Sequence, residues 1–76
     1  MEQFTIDSMK GNGVTRSERA SITLGDTTVE LFRLQGEPVE VWVKCFFSQR
    51  RVHTNLTLEQ AVEEGNKLLL DPSSRW

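Results

Sequence analysis

Gly25-Asp26 stands between two runs of alternating apolar residues, and this arrangement restricts the chain more than any other feature it carries. In the first run Ala20, Ile22 and Leu24 share one face, because successive side chains of a strand point to opposite sides. A two-residue connection with glycine first fits a type II′ turn, whose first central residue needs a positive φ. Pairing across it sets Leu24 against Thr27, Ile22 against Val29 and Ala20 against Leu31, so the apolar residues meet. Turn chemistry and side-chain parity therefore agree on one hairpin in one register.

The returning strand, 27–34, passes through Gln35-Gly36-Glu37-Pro38 into another that starts at Val39 and runs to Phe47 or beyond. On this strand Val39, Val41, Val43, Cys45 and Phe47 lie on one face, and Glu40, Trp42, Lys44 and Phe46 on the other. For Val29 and Leu31 to meet the valines, the connecting loop must hold an odd number of residues, three or five. Five would put Phe32 directly opposite Trp42, an aromatic pair worth ~0.2 to 1 kcal/mol, and this favours the longer loop. Upstream, Phe4 and Ile6 alternate with polar residues and predict a short edge strand within 2–9. Lys10-Gly11-Asn12-Gly13 then reads as a flexible loop.

Beyond Ser48-Gln49-Arg50-Arg51-Val52-His53 the period changes. Thr57 and Gln60 form a capping box, and Leu58, Ala61, Val62, Gly65, Leu68 and Leu69 recur at the spacing of one helical face. Asp71-Pro72 ends the helix, because proline disfavours helical backbone in the residue before it, and 72–76 is left as a short tail. Gly65 falls on the apolar stripe and costs about 1 kcal/mol relative to alanine in a helix interior, so close approach of the helix to the sheet is expected there. The predicted fold is a single α+β domain over 1–76, a small antiparallel meander of three to four strands with one C-terminal helix packed on one face.

Size limits what such a domain can do. In a chain of 76 residues, apolar burial and the entropy of ordering nearly cancel, and there is little room for a deep pocket. No apolar run approaches the ~20 residues of a membrane span, and the N-terminus lacks a secretory pattern. The single cysteine, Cys45, cannot make an internal disulfide, which points to the cytoplasm. Nine basic against eleven acidic side chains supply no field for wrapping nucleic acid.

One helix covers one face of a sheet. The second face would carry Phe32, Leu34, Trp42 and Phe46 among Arg19, Glu30, Glu40 and Lys44, and interleaved aromatics and charges resemble a protein interface more than a plain solvated surface. Partner-contact candidates are accordingly Phe32, Trp42, Lys44, Phe46, Glu40 and Arg19. That face could be covered by the N-terminal segment with Phe4 and Ile6, by the tail with Trp76, by a second copy or a protein partner, or by stacked single-stranded nucleic acid.

Catalytic features are weak. Cys45 lies on the expected core face and reads as a buried structural cysteine, and with His53 it makes too small a set for a metal centre. Gly11-Asn12-Gly13 lacks the context of a phosphate loop, and Glu59, Glu63 and Glu64 read as a solvated helix surface. Asn55-Leu56-Thr57 matches a glycosylation acceptor, but capping of the helix explains it. Arg16, Arg50, Arg51 and His53 form the candidate basic patch. A sheet followed by a helix invites comparison with double-stranded-RNA-binding modules, but the N-terminal helix and the lysine-rich start of the last helix are missing.

The expectation is a non-enzymatic protein-binding module without a cofactor, regulatory or inhibitory, cytoplasmic, and open to homodimer formation. In size and layout it is similar to phage- and prophage-encoded inhibitors of bacterial systems, an analogy that rests on no motif. A nucleic-acid-binding accessory protein acting through Arg16, Arg19, Arg50 and Arg51 is the alternative, with a homodimeric structural subunit beside it.

Overall fold

The computed structural model describes residues 3–14 and 16–70. It contains an antiparallel five-stranded sheet in the order β1-β2-β3-β4-β5 and one helix, so the fold is α+β with more strands than the three or four expected. The elements are β1 (Lys10–Asn12), β2 (Ser17–Leu24), β3 (Thr27–Leu34), β4 (Val39–Cys45), β5 (Ser48–Leu56) and α1 (Leu58–Leu70).

The central hairpin forms as parity requires, with Leu24 opposite Thr27, Ile22 opposite Val29 and Ala20 opposite Leu31. Gly25 takes φ 62, the backbone that a first central turn residue needs. Between β3 and β4 the odd loop is the shorter of the two possibilities. Leu31 pairs with Val41 and Val29 with Val43, while Phe32 faces Glu40 and Trp42 faces Glu30. The direct Phe32–Trp42 pair is therefore replaced by a diagonal neighbourhood on the same face. Gly36, with φ 83, and a bond from the Glu37 amide to the Leu34 carbonyl (2.9 Å) close the tighter turn.

α1 starts at the predicted box, in which the Thr57 amide donates to Gln60 Oε1 (3.1 Å) and the Gln60 amide to Thr57 Oγ1 (3.2 Å). Ala61, Gly65, Leu68 and Leu69 are buried, and they close over Val29, Leu31, Val39, Val41 and Val43. A Cβ added at Gly65 would lie 2.9 Å from Phe4 Cδ2 and 3.0 Å from Leu31 Cδ2, so the close approach is real.

The other wall of that notch is the N-terminal segment, which is not an edge strand. Phe4 enters the core on the helix side, and 6–8 form a 3₁₀ turn. Asn66 grips this segment through both backbone groups of one residue: the Phe4 amide donates to Asn66 Oδ1 (2.7 Å), and Asn66 Nδ2 donates to the Phe4 carbonyl (3.0 Å). Ile6 stays exposed. The chain then forms β1 where a loop was expected, pairing Lys10 with Arg19 and Asn12 with Ser17. Glycine is tolerated at 11 because β1 is a three-residue edge strand with little side-chain packing to lose.

β4 ends sooner than expected. Phe46-Phe47 is a two-residue turn, and the chain returns as β5, with Cys45 opposite Ser48 and Trp42 opposite Arg51. Phe47 consequently leaves the core face to which alternation assigned it, and Cys45, at the strand end, is only half-buried. Along β5 the register slips twice, before the Val41–His53 pair and again before Val39–Leu56, and Asn55 takes φ 60 within the second slip. The tail 72–76 and Trp76 lie outside the described residues.

Candidate functional site

The sheet face away from α1 is built by alternate residues of β1 to β5 in three rows. The first holds Lys10, Arg19, Phe32 and Glu40; the next holds Ser21, Glu30, Trp42 and Arg51; the third holds Thr23, Thr28, Lys44 and Gln49. Parity alone thus brings together five of the six expected contact residues: Arg19, Phe32, Glu40, Trp42 and Lys44.

The carboxylates of this face have partners across or along the strands. Lys44 Nζ donates to Glu30 Oε2 (3.3 Å), and Arg51 Nη1 to Glu40 Oε2 (3.0 Å). The other Glu40 oxygen accepts from the Trp42 indole N–H (3.1 Å), so one carboxylate holds both a guanidinium and an aromatic ring in place. The Arg19 guanidinium stacks 5.0 Å from the Phe32 ring centroid, within the range of a cation–π contact. Thr23 and Thr28 share a hydroxyl bond (2.8 Å). A shallow depression of about 210 Å³ lies over Phe32 and Trp42, walled by Arg19, Glu30, Lys44 and Gln49. No described segment of the chain folds across these aromatics, since the N-terminal segment went to the opposite side.

Phe46 departs from the face and forms the tip beyond it. Phe46 is 81% exposed and Phe47 fully so, and Phe46 holds φ 54, a backbone conformation that bulky residues rarely adopt. Glycine would suit this first turn position, as it does at Gly25. Phe47 as a surface residue is what the reading of the sequence missed. One signal was available: a strand continuing through Phe47 would leave about ten residues of structureless loop before the helix, long for a compact domain.

The candidate basic residues are dispersed. Arg16 lies in the turn between β1 and β2 with φ 55, its carbonyl accepting from the Gln35 amide (2.8 Å). Arg50 and His53 stand opposite Val43 and Val41 on the helix side of β5, and Arg51 on the other side. His53 Nε2 lies 3.4 Å from Glu64 Oε2. Glu64 and Glu63 also meet Lys67 (3.2 and 3.4 Å), and the hydrogen bond to Glu64 and its charge, followed by the hydrogen bond to Glu63 and its charge, hold the Lys67 ammonium above its ordinary pKa. A second charged pair, Arg33 with Glu18, closes the lower end of the helix side through Nη2–Oε2 (2.8 Å) and Nε–Oε1 (3.1 Å). Among the described residues no group of three or more His, Cys, Asp or Glu side chains could hold a metal ion, and no helix is long and apolar enough to cross a membrane.

Comparison with protein-family models, with curated proteins and with solved structures finds no match to this chain.

Proposed function

We propose that this chain is a non-enzymatic protein-binding module of the cytoplasm that regulates or inhibits its partner by surface contact, as small phage-encoded inhibitors do. The observation that carries the reading is the Phe46-Phe47 tip. Two exposed aromatic rings contribute nothing to the core, and a phenylalanine in a left-handed turn position costs about 1 to 3 kcal/mol that glycine would not. Aromatic side chains inserted in a partner's apolar pocket dominate many interfaces, and they account for keeping such a turn. The outer face, with Trp42 and Phe32 ringed by charges, supplies the surrounding polar contact area. Lys44 and Arg51 already neutralise Glu30 and Glu40, and the arginines are spread over two faces and a turn, so support for a phosphate-tracking patch is weak.

The test combines stability with binding. Phe46→Gly with Phe47→Ser is expected to raise stability by about 1 kcal/mol through relief of the turn, measured by urea unfolding. The same variant is expected to lose a protein that the wild-type chain captures from its host extract. Recovery of the same protein by both chains, or capture of none by the wild type, overturns the reading.

A further inference from the structure

The two edges of the sheet are protected very differently. β5 carries Arg50, Arg51 and His53 and breaks register twice, devices that prevent another strand from pairing with it. β1 protects only Ser17 to Arg19 of β2, leaving Ala20 to Leu24 with β3 on one side and no described strand on the other. This open stretch, Ala20-Ser21-Ile22-Thr23-Leu24, contains no charge, proline or glycine, and its register with β3 is unbroken. Its outward backbone groups adjoin a groove of about 430 Å³ between β2, at Arg19 to Ile22, and the N-terminal segment at Phe4, Ser8 and Lys10. An unguarded edge of this kind is a template for one more strand.

We propose that the strand it takes is β2 of a second copy of this chain, paired antiparallel about a two-fold axis through Ile22. Three features of the edge fit this occupant. The axis sets Ile22 opposite its own copy, Ala20 opposite Leu24 and Ser21 opposite Thr23. Apolar residues therefore meet on the helix side, where Ala20 and Leu24 are only half-buried, and hydroxyls meet on the other. A slip by one residue would oppose apolar to hydroxyl positions, so the pattern selects this register. The row beyond Ala20 is occupied by Lys10, which pairs with Arg19, and the Gly25-Asp26 turn of the second copy ends against it. Its Asp26 carboxylate then approaches the Lys10 ammonium, and symmetry repeats the contact at the other end. The product is one continuous ten-stranded sheet with both helices on the same side, and the outer faces remain free, so this inference does not depend on the tip contact proposed above.

Five paired rows extend only ~17 Å, a small contact beside a standard interface, so the association is reversible and concentration-dependent. Sedimentation velocity from about 10 μM to about 1 mM is expected to show monomer passing into dimer. Ser21→Lys with Thr23→Lys sets like charges directly opposite each other on the exposed face and is expected to weaken the dimer about tenfold or more, with circular dichroism unchanged. Asp26→Lys, in an exposed turn, is expected to weaken it as well, and Lys10→Asp added to Asp26→Lys to restore it. A monomer throughout the concentration range overturns the proposal. So does a dimer that ignores both the edge lysines and the charge swap but dissociates with Phe32→Ala and Trp42→Ala, which would place the contact on the outer face.

Discussion

Leu31 and Phe32 are adjacent in the chain and belong to opposite worlds. Leu31 is fully buried between α1 and the valines of β4, while Phe32 lies half-exposed under the Arg19 guanidinium. The helix side of the sheet is packed closely enough that a single methyl group at Gly65 would strike Phe4 and Leu31. The outer side is held by Lys44–Glu30, Arg51–Glu40 and the Trp42–Glu40 bond, in which the cations reach water while the Glu30 and Glu40 carboxylates are partly buried. Close packing derives its energy from area removed from solvent, whereas exposed ion pairs are each worth about 0 to 1 kcal/mol. The fold therefore depends on one face, which leaves the composition of the other unconstrained by close packing.

Truncating each of the two neighbours tests this contrast most severely. Leu31→Ala is expected to cost about 2 to 5 kcal/mol, a large share of the total for a small domain, and Phe32→Ala less than about 1 to 2 kcal/mol, both read from urea unfolding. Equal losses would mean that the outer aromatics are a second core. The next effect is smaller, and its sign depends on a neighbour. Gly65→Ala gains about 1 kcal/mol of helix propensity but places Cβ 2.9 Å from Phe4 and 3.0 Å from Leu31, and the expected net result is destabilisation by about 1 to 2 kcal/mol. In a Phe4→Ala background the nearer obstacle is gone and the Leu31 side chain gains space to shift by the few tenths of an ångström the methyl needs, so the same substitution is expected to become neutral or stabilising. A double-mutant cycle measures this reversal, and purely additive effects would show that Phe4 does not set the spacing.

Most of the helix side was legible because its signals are local and mutually consistent. Gly25, the parity of Ala20 to Leu31, the Thr57–Gln60 box and the placement of Gly65 on the apolar stripe each act over a few residues. The segments that were misread owe their structure to distant partners. Phe4 alternates like a strand residue, yet its place is decided by the notch at Gly65 and the Asn66 side chain, sixty-two positions away. β5 was hidden because its turn contains none of the usual residues and its two register slips erase alternation. The outer face followed from parity once β3 and β4 were placed, but the choice between three and five loop residues did not: a tight turn and an aromatic pair both satisfied the same parity. The basic patch dissolved for the reason β5 was missed, since strand geometry sends Arg50 and Arg51 to opposite sides.

The smallest expected effect separates the two faces by their response to salt. Glu40 serves two partners on the outer side, accepting from Arg51 Nη1 (3.0 Å) and Trp42 Nε1 (3.1 Å), and the arginine is about half exposed. Its attraction for Arg51 is therefore screened by water and ions. A cycle of Glu40→Gln and Arg51→Met is expected to give a coupling below about 1 kcal/mol at low salt, falling toward zero in about 1 M NaCl. The amide introduced by Glu40→Gln keeps an acceptor for the indole, so Trp42 fluorescence should change little and the cycle isolates the charge. The Leu31→Ala loss comes from buried area and a cavity, and salt has no comparable hold on it. A coupling of several kcal/mol, insensitive to salt, would show instead that the pair is withdrawn from water in the free chain, and the outer face would then have to be counted as structure before it is counted as surface.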